Sequence, residues 1–110
     1  MALVEQRPFT ITASRALGRV VLTLRGELDV ATAPALGEAL RDLNERGDVD
    51  VVIDLAQLQF IDSRGLGVLL HGHRTLKERG GTLTLSDPRP HVRKVLEITA
   101  MTQVFTITQT

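Results

Sequence analysis

An aspartate and a serine stand side by side just ahead of two glycines, as Asp62, Ser63, Gly65 and Gly67. The apolar residues that follow recur at helical spacing, so a helix begins at this segment. The first backbone N–H groups of a helix lack intrahelical partners and lie at the positive end of its dipole, which stabilises an oxyanion or a phosphate there. Ser63 places a hydroxyl at that end of the helix, so the role of this hydroxyl is the first question that the sequence raises.

A simple helix cap is the alternative explanation, because Asp62 and Ser63 are both favoured N-cap residues. A cap needs one polar side chain and no glycine. Gly65 and Gly67 lie in the first turn, where each costs about 1 kcal/mol of helix propensity relative to alanine. Residues without side chains allow another backbone or a ligand to come close. The glycines therefore favour a helix start that meets a partner.

Other catalytic and cofactor signatures are incomplete. A nucleophile elbow needs a glycine two residues before the serine, where this chain has Ile61, and the third glycine of a dinucleotide fingerprint is replaced by Leu70. The chain has no Gly-Lys-Ser/Thr triplet, so a P-loop is excluded. His71, His73 and His91 are expected to be packed or solvated, with His73 on an apolar stripe. No cofactor and no metal site is predicted.

Composition narrows the class of protein. The 110 residues suit one domain, and 43% of them are hydrophobic. With 13 basic and 13 acidic residues the formal net charge is zero, so nucleic acid and anionic membranes are not expected partners. The absence of cysteine excludes disulfides and thiol chemistry. No apolar run is long enough to span a bilayer and no signal-peptide pattern is present, which leads us to expect a cytoplasmic domain.

The elements that position Ser63 follow from hydrophobic periodicity. Strands are predicted over residues 9–13, 20–25, 51–55, 82–85 and 104–107. Helices are predicted from Thr32 to Gly47 and from Ser63 to Arg79. A third helix is expected after a cap at residues 86–88, with Val92, Val95, Leu96 and Thr99 facing inward.

The resulting order is β-β-α-β-α-β-α-β, which predicts one α/β domain over residues 1–110. Its sheet of about five strands is mixed but mostly parallel, with an antiparallel hairpin at the start. Ser63 lies where a strand passes through a short loop into a helix. Asp29 and Asp62 each follow a strand, so both are expected near Ser63 at one edge of the sheet, either as turn and cap carboxylates or as part of a binding surface.

Two short motifs, taken together, resemble those of a known protein family. Residues 60–67 read FIDSRGLG and residues 26–29 read GELD. The chain resembles the STAS-domain family of bacterial anti-sigma-factor antagonists, and the likeness extends over nearly its whole length.

The resemblance implies a switch protein with no enzymatic activity of its own. Family members bind an anti-sigma factor that is also a serine kinase, and so displace the sigma factor. The kinase phosphorylates a serine, which breaks the complex, and a PP2C-type phosphatase removes the phosphate. Carried over by position, Ser63 is the phosphoacceptor, and Asp29 and Asp62 face the kinase. Because they lack side chains, Gly65 and Gly67 are expected to lie in the interface.

One position departs from the family pattern. A second serine commonly follows the phosphoacceptor, and here that residue is Arg64. Its cation is expected either to alter the choice of kinase or to pair with the phosphate and soften its repulsion. We expect the phosphate to be tolerated at the helix N-terminus of the free domain and to be repelled in the interface.

Two other functions remain open from the sequence. The first is a STAS scaffold that is never phosphorylated, in a sensory or transporter-associated complex. The second is a small hydrolase that uses Ser63 with a histidine, although the sequence places no base beside this serine.

Overall fold

The computed structural model describes residues 8–110, and residues 1–7, which precede the first predicted strand, lie outside the described residues. The strands are β1 (Thr10–Ala16), β2 (Arg19–Leu28), β3 (Asp50–Ile61), β4 (Thr82–Ser86) and β5 (Thr106–Thr108). The helices are α1 (Ala33–Glu45), α2 (Ser63–Glu78) and α3 (Pro90–Ile98), and a 3₁₀ turn covers Met101–Gln103. The predicted α/β fold and element order are confirmed.

The five strands form one mixed sheet in the order β1-β2-β3-β4-β5. β1 and β2 are an antiparallel hairpin, and every other neighbouring pair is parallel. Leu17 and Gly18 turn the hairpin with φ of 56° and 77°. Positive φ at both central residues is the conformation that matches the twist of two antiparallel strands. The short link between the strands was therefore enough to predict their pairing.

The two faces of the sheet differ in burial. Leu22, Ile53 and Leu85 lie in register on neighbouring strands, and each is at most 2% exposed. Because strand order follows chain order, right-handed crossovers place all three helices over this apolar face. The next residues along these strands point to the other side of the sheet and are only half-buried, as Thr23 and Asp54 are. The core is thus a single layer between sheet and helices.

β3 is longer than the sequence predicts. It extends to Ile61 instead of ending at Leu55, and its pairing with β2 shifts register twice. At each shift β3 has one more residue than β2, which is the signature of a bulge. The Asp54 carboxylate accepts the Ala56 N–H at 3.0 Å beside the first of them. The short loop predicted before Ser63 is therefore wrong, because the strand runs directly into Asp62.

The C-terminal elements also differ from prediction. α3 begins at Pro90 after Arg89, and no side chain caps it, so the cap predicted at residues 86–88 is wrong. Asp87 instead has a φ of 54°, and its carboxylate accepts the Thr110 N–H at 2.7 Å. Thr99, predicted to face inward, is instead the exposed residue that follows the last turn of α3, and its hydroxyl donates to the Val95 carbonyl at 2.8 Å. The strand predicted over 104–107 occupies Thr106–Thr108.

Candidate functional site

The start of α2 is fixed by Asp62. Its Oδ1 accepts the backbone N–H groups of Arg64 at 2.9 Å and Gly65 at 3.0 Å. The Asp62 N–H in turn donates to the Leu28 carbonyl at 3.1 Å, which ties the helix start to the end of β2. Asp62 is therefore the cap that the sequence allowed, and it holds the following residue on a rigid support.

Ser63 is the first residue of α2, and it is exposed. Its hydroxyl makes no hydrogen bond to any of residues 8–110. The Ser63 hydroxyl is thus as accessible as phosphorylation by a kinase requires. However, two of the first N–H groups of this helix, those of Arg64 and Gly65, already donate to Asp62. A phosphate on Ser63 would meet a carboxylate where the sequence led us to expect free donors.

The two glycines of the first turn have different environments. A Cβ at Gly65 would lie 2.7 Å from the Cγ of Leu28 and 3.0 Å from the Cγ1 of Ile61, so the core of the domain itself requires a glycine there. A Cβ at Gly67 would meet nothing within 4 Å. Of the two glycines, Gly67 alone leaves open space beside the helix. A contact of either glycine with a partner stays a prediction.

Asp29 lies at the same edge of the sheet as Asp62. Leu28 pairs with Ile61 in the parallel ladder, so the two aspartates follow neighbouring strand ends. Asp29 Oδ1 accepts the N–H groups of Ala31 at 3.0 Å and Thr32 at 3.1 Å, which shapes the turn into α1. The predicted proximity of Asp29, Asp62 and the helix start is confirmed. Both carboxylates also serve the turn or cap role that the sequence left open.

An exposed apolar residue completes this edge. Val30 follows Asp29 in the turn and is 63% exposed. The sequence does not reveal this residue, because a lone valine in a turn has no periodic pattern that marks its exposure. We call Asp29, Val30, Asp62, Ser63 and Arg64 the Ser63 edge.

A groove between α1 and α2 opens beside the Ser63 edge. Its volume is about 450 Å³, and Ser63, Arg64 and Gly67 contribute to its lining. Leu40 and Leu43 of α1 are also in its wall. The phosphoacceptor candidate therefore borders a cavity as well as open solvent.

No histidine is placed to activate Ser63. His71 is eight positions further along α2, about 12 Å of helix rise, whereas a general base must be within about 3.2 Å of the proton it takes. His73 packs against Phe105 with ring centroids 5.3 Å apart, and His91 stacks on Phe60 at 6.0 Å. Among residues 8–110, no three His, Cys, Asp or Glu side chains are grouped to hold a metal ion.

The family follows from comparison with known proteins. A family model described as Mlab, STAS domain, matches residues 11–108. The chain belongs to the STAS-domain family. Within the described part of this STAS domain, no helix has the length and apolarity needed to cross a membrane.

Relatives of this STAS domain are anti-sigma factor antagonists. The anti-sigma-B factor antagonist of Bacillus subtilis is 33% identical over 88 residues, which is 80% of this chain and 80% of the relative. The crystal structure of an anti-sigma factor antagonist from Mycobacterium paratuberculosis has a TM-score of 0.84 at 26% identity, and covers 92% of this chain and 86% of that one. The Bacillus cell fate determinant SpoIIAA in its phosphorylated form shares the fold, with a TM-score of 0.74 at 23% identity over 92% of this chain and 91% of its own.

Proposed function

We propose that this STAS domain is an anti-sigma factor antagonist without enzymatic activity. It binds a serine-kinase anti-sigma factor through the Ser63 edge, and phosphorylation of Ser63 by that kinase ends the binding. A PP2C-type phosphatase restores it. The observation that carries the proposal is the exposed Ser63 hydroxyl on a helix start held rigid by Asp62. The antagonist names of the relatives and the phosphorylated form of SpoIIAA support it.

The Ser63 edge has the chemistry of a docking surface for a protein. Val30 presents an apolar side chain beside Asp29, and Asp62 follows the end of the neighbouring strand. An exposed apolar anchor rimmed by charged groups is a common arrangement in interfaces. The carboxylates favour a partner with basic residues opposite them, and the rigid backbone on either side keeps the ordering cost of binding small.

The switch follows from electrostatics at the same edge. A phosphate adds about −1.5 to −2 charges at pH 7. Since Asp62 already accepts the N–H groups of Arg64 and Gly65, these two donors are less available to neutralise that charge. The phosphate would be buried beside two carboxylates when a partner docks, and desolvating such a cluster is costly. A tenfold loss of affinity requires only about 1.4 kcal/mol.

Arg64 modulates this repulsion. Its side chain is exposed and forms no ion pair with any other described residue. The guanidinium is therefore free to turn toward a phosphate one residue away. We expect it to lower the charge seen by a partner without abolishing the repulsion, because one cation does not balance a phosphate and two carboxylates.

The first experiment maps the modification. The protein is incubated with ATP and each candidate anti-sigma factor kinase of its host, and modified residues are identified by mass spectrometry. Phosphate on Ser63 is expected, and Ser63→Ala should remove it. Label on another residue, or none with any of these kinases, would contradict the switch and favour a STAS scaffold that binds without phosphorylation.

The second experiment measures affinity for the anti-sigma factor. Ser63→Ala should bind like the unmodified protein, whereas Ser63→Asp should bind about tenfold more weakly with an unchanged melting temperature. Ser14→Asp is the matched control, since Ser14 is an exposed serine on β1. Equal binding by Ser63→Asp and Ser14→Asp would show that charge at residue 63 does not control docking.

A further inference from the structure

The groove between α1 and α2 is a cavity that neither the fold nor the phosphorylation of Ser63 explains. We propose that it binds a single-chain amphipathic carboxylate, whose apolar tail lies between the helices and whose carboxylate contacts Arg64 at the start of α2. This site is separate from the chemistry at the Ser63 hydroxyl, although the two adjoin.

The size and shape of the groove suit a chain-like ligand. Its volume of about 450 Å³ is within the range of about 300–1,000 Å³ typical of small-molecule sites. Lining residues on α2 extend from Ser63 to Leu76, which corresponds to about 20 Å of helix. The cavity is therefore long and narrow, which suits an extended chain better than a rounded ring system.

The walls of the groove are aliphatic. Leu40, Leu43, Val51, Val68 and Leu76 line it, and it includes no phenylalanine. Aliphatic side chains of this kind bury a hydrocarbon tail favourably, because the contact removes the apolar surface of both the groove and the tail from water. A flat aromatic ligand would find no ring to stack on.

The rim of the groove is cationic. Arg41 of α1 and Arg64 of α2 line it, and its lining includes no carboxylate. In the part of the chain that the structure describes, the side chains of these two residues have neither an ion pair nor a hydrogen bond. Arg64, with no internal acceptor, presents the planar donor fork that matches the two oxygens of a carboxylate, and Arg41 adds positive charge further along the groove.

Gly67 gives an independent reason to place a ligand here. A glycine inside a helix lowers its stability, and close packing is one reason why a glycine is needed there. A Cβ at Gly67 would meet nothing within 4 Å, so packing in the described domain does not require this one. The open space is at the groove itself. Its bare backbone leaves room for a tail that passes along α2.

A ligand in the groove would also affect phosphorylation of Ser63, and this part of the inference rests on the proposed function. Ser63 lines the same cavity, so a carboxylate on Arg64 would stand next to the phosphoacceptor. A bound ligand and a phosphate on Ser63 would compete for the same cation. We therefore expect ligand binding to slow phosphorylation of Ser63.

The test is a titration of the full chain with sodium decanoate, followed by amide chemical shifts in two-dimensional NMR. The expected result is saturable binding with the largest shifts at Leu40, Gly67 and Val68. Acetate supplies the head without the tail, and decyltrimethylammonium supplies the tail with a positive head; both should bind at least about tenfold more weakly than decanoate.

Variants separate this site from nonspecific binding. The double change Arg41→Gln and Arg64→Gln should weaken decanoate binding about tenfold or more. Arg46→Gln with Arg74→Gln removes the same charge outside the groove and should leave binding unchanged. Gly67→Leu should block decanoate while the circular dichroism spectrum keeps its shape. The proposal is overturned by absence of saturable shifts, by shifts centred elsewhere, or by equal affinity in the two double variants. Each outcome is independent of any kinase, so failure here leaves the proposed antagonist function standing.

Discussion

Gly65 of α2 lies directly against Leu28 at the end of β2, so closely that a Cβ at residue 65 would be 2.7 Å from the Leu28 Cγ. Leu28 is fully buried and cannot move aside freely. The glycine therefore lets the helix start approach the sheet, which in turn places Ser63 at the sheet edge.

The first prediction compares the two glycines of this turn. Gly65→Ala should lower the free energy of unfolding by about 1–2 kcal/mol, because the overpacking penalty exceeds the gain in helix propensity. Gly67→Ala should raise it by about 1 kcal/mol, since its Cβ meets open space. Urea denaturation of both variants provides the measurement. Stabilisation by both changes would mean that Leu28 yields to the added methyl group.

The second prediction separates the two roles of Asp62. Asn is as good an N-cap as Asp, so Asp62→Asn should keep the stability of the native protein, while Asp62→Ala should lose about 1 kcal/mol. Asp62→Asn also removes one of the two carboxylates beside Ser63. If repulsion controls docking, phosphorylated Asp62→Asn should bind the anti-sigma factor more tightly than the phosphorylated native protein. Equal affinities of those two phosphorylated proteins would assign Asp62 to the cap alone.

The sequence predicted those parts of the fold whose signals are local. The link at Leu17 and Gly18 is short enough to require a hairpin, and alternating helices and strands require parallel pairing. Asp62 and Ser63 were identified because cap chemistry depends on residue type and position along the chain. Each of these features is determined by neighbours in sequence.

The predictions are wrong where contacts between residues distant in sequence determine the structure. Leu55, Leu58 and Ile61 are all buried in β3 at a spacing of three, which does not fit the two-residue period of a regular strand. Two bulges turn these residues inward, and bulges depend on the pairing with β2. The reason for Gly65 was likewise hidden, because Leu28 is distant in sequence.

The third prediction concerns an ion pair between β1 and the loop before β3. Arg15 donates to both carboxylate oxygens of Asp48, at 2.6 and 2.7 Å. These hydrogen bonds, with the charge of Arg15, hold the pKa of Asp48 below its ordinary value. The folded state therefore favours the ionised carboxylate, and the pair stabilises the protein above the pKa that Asp48 has in the unfolded chain. This contribution is lost as the pH falls through the folded-state pKa.

Arg15→Gln should raise the pKa of Asp48 toward the ordinary value, as measured by NMR titration of its side chain. The difference in stability between the variant and the native protein should shrink below about pH 4. Arg19→Gln removes a charge from the neighbouring strand, where Arg19 pairs with Asp50 at 3.3 Å, and serves as the control. An unchanged Asp48 pKa in Arg15→Gln would show that the pair does not persist in solution.

The fourth prediction rests on His73, whose Nδ1 is buried without a hydrogen-bond partner in the part of the chain described. Burial lowers the pKa of His73, and the charges of Lys77 and Arg74 lower it further. The unfolded chain, with a histidine pKa of about 6.5, binds this proton more readily than the folded state does. Stability should therefore fall as the pH drops from 7 through the folded-state pKa of His73.

His73→Gln should flatten this part of the pH profile in urea denaturation, whatever its effect on stability at pH 7. Lys77→Gln should raise the pKa of His73 in an NMR titration, because it removes one of the two cations. A His73 pKa at or above 6.5 in the native protein would mean that the ring is hydrated in solution rather than packed against Phe105.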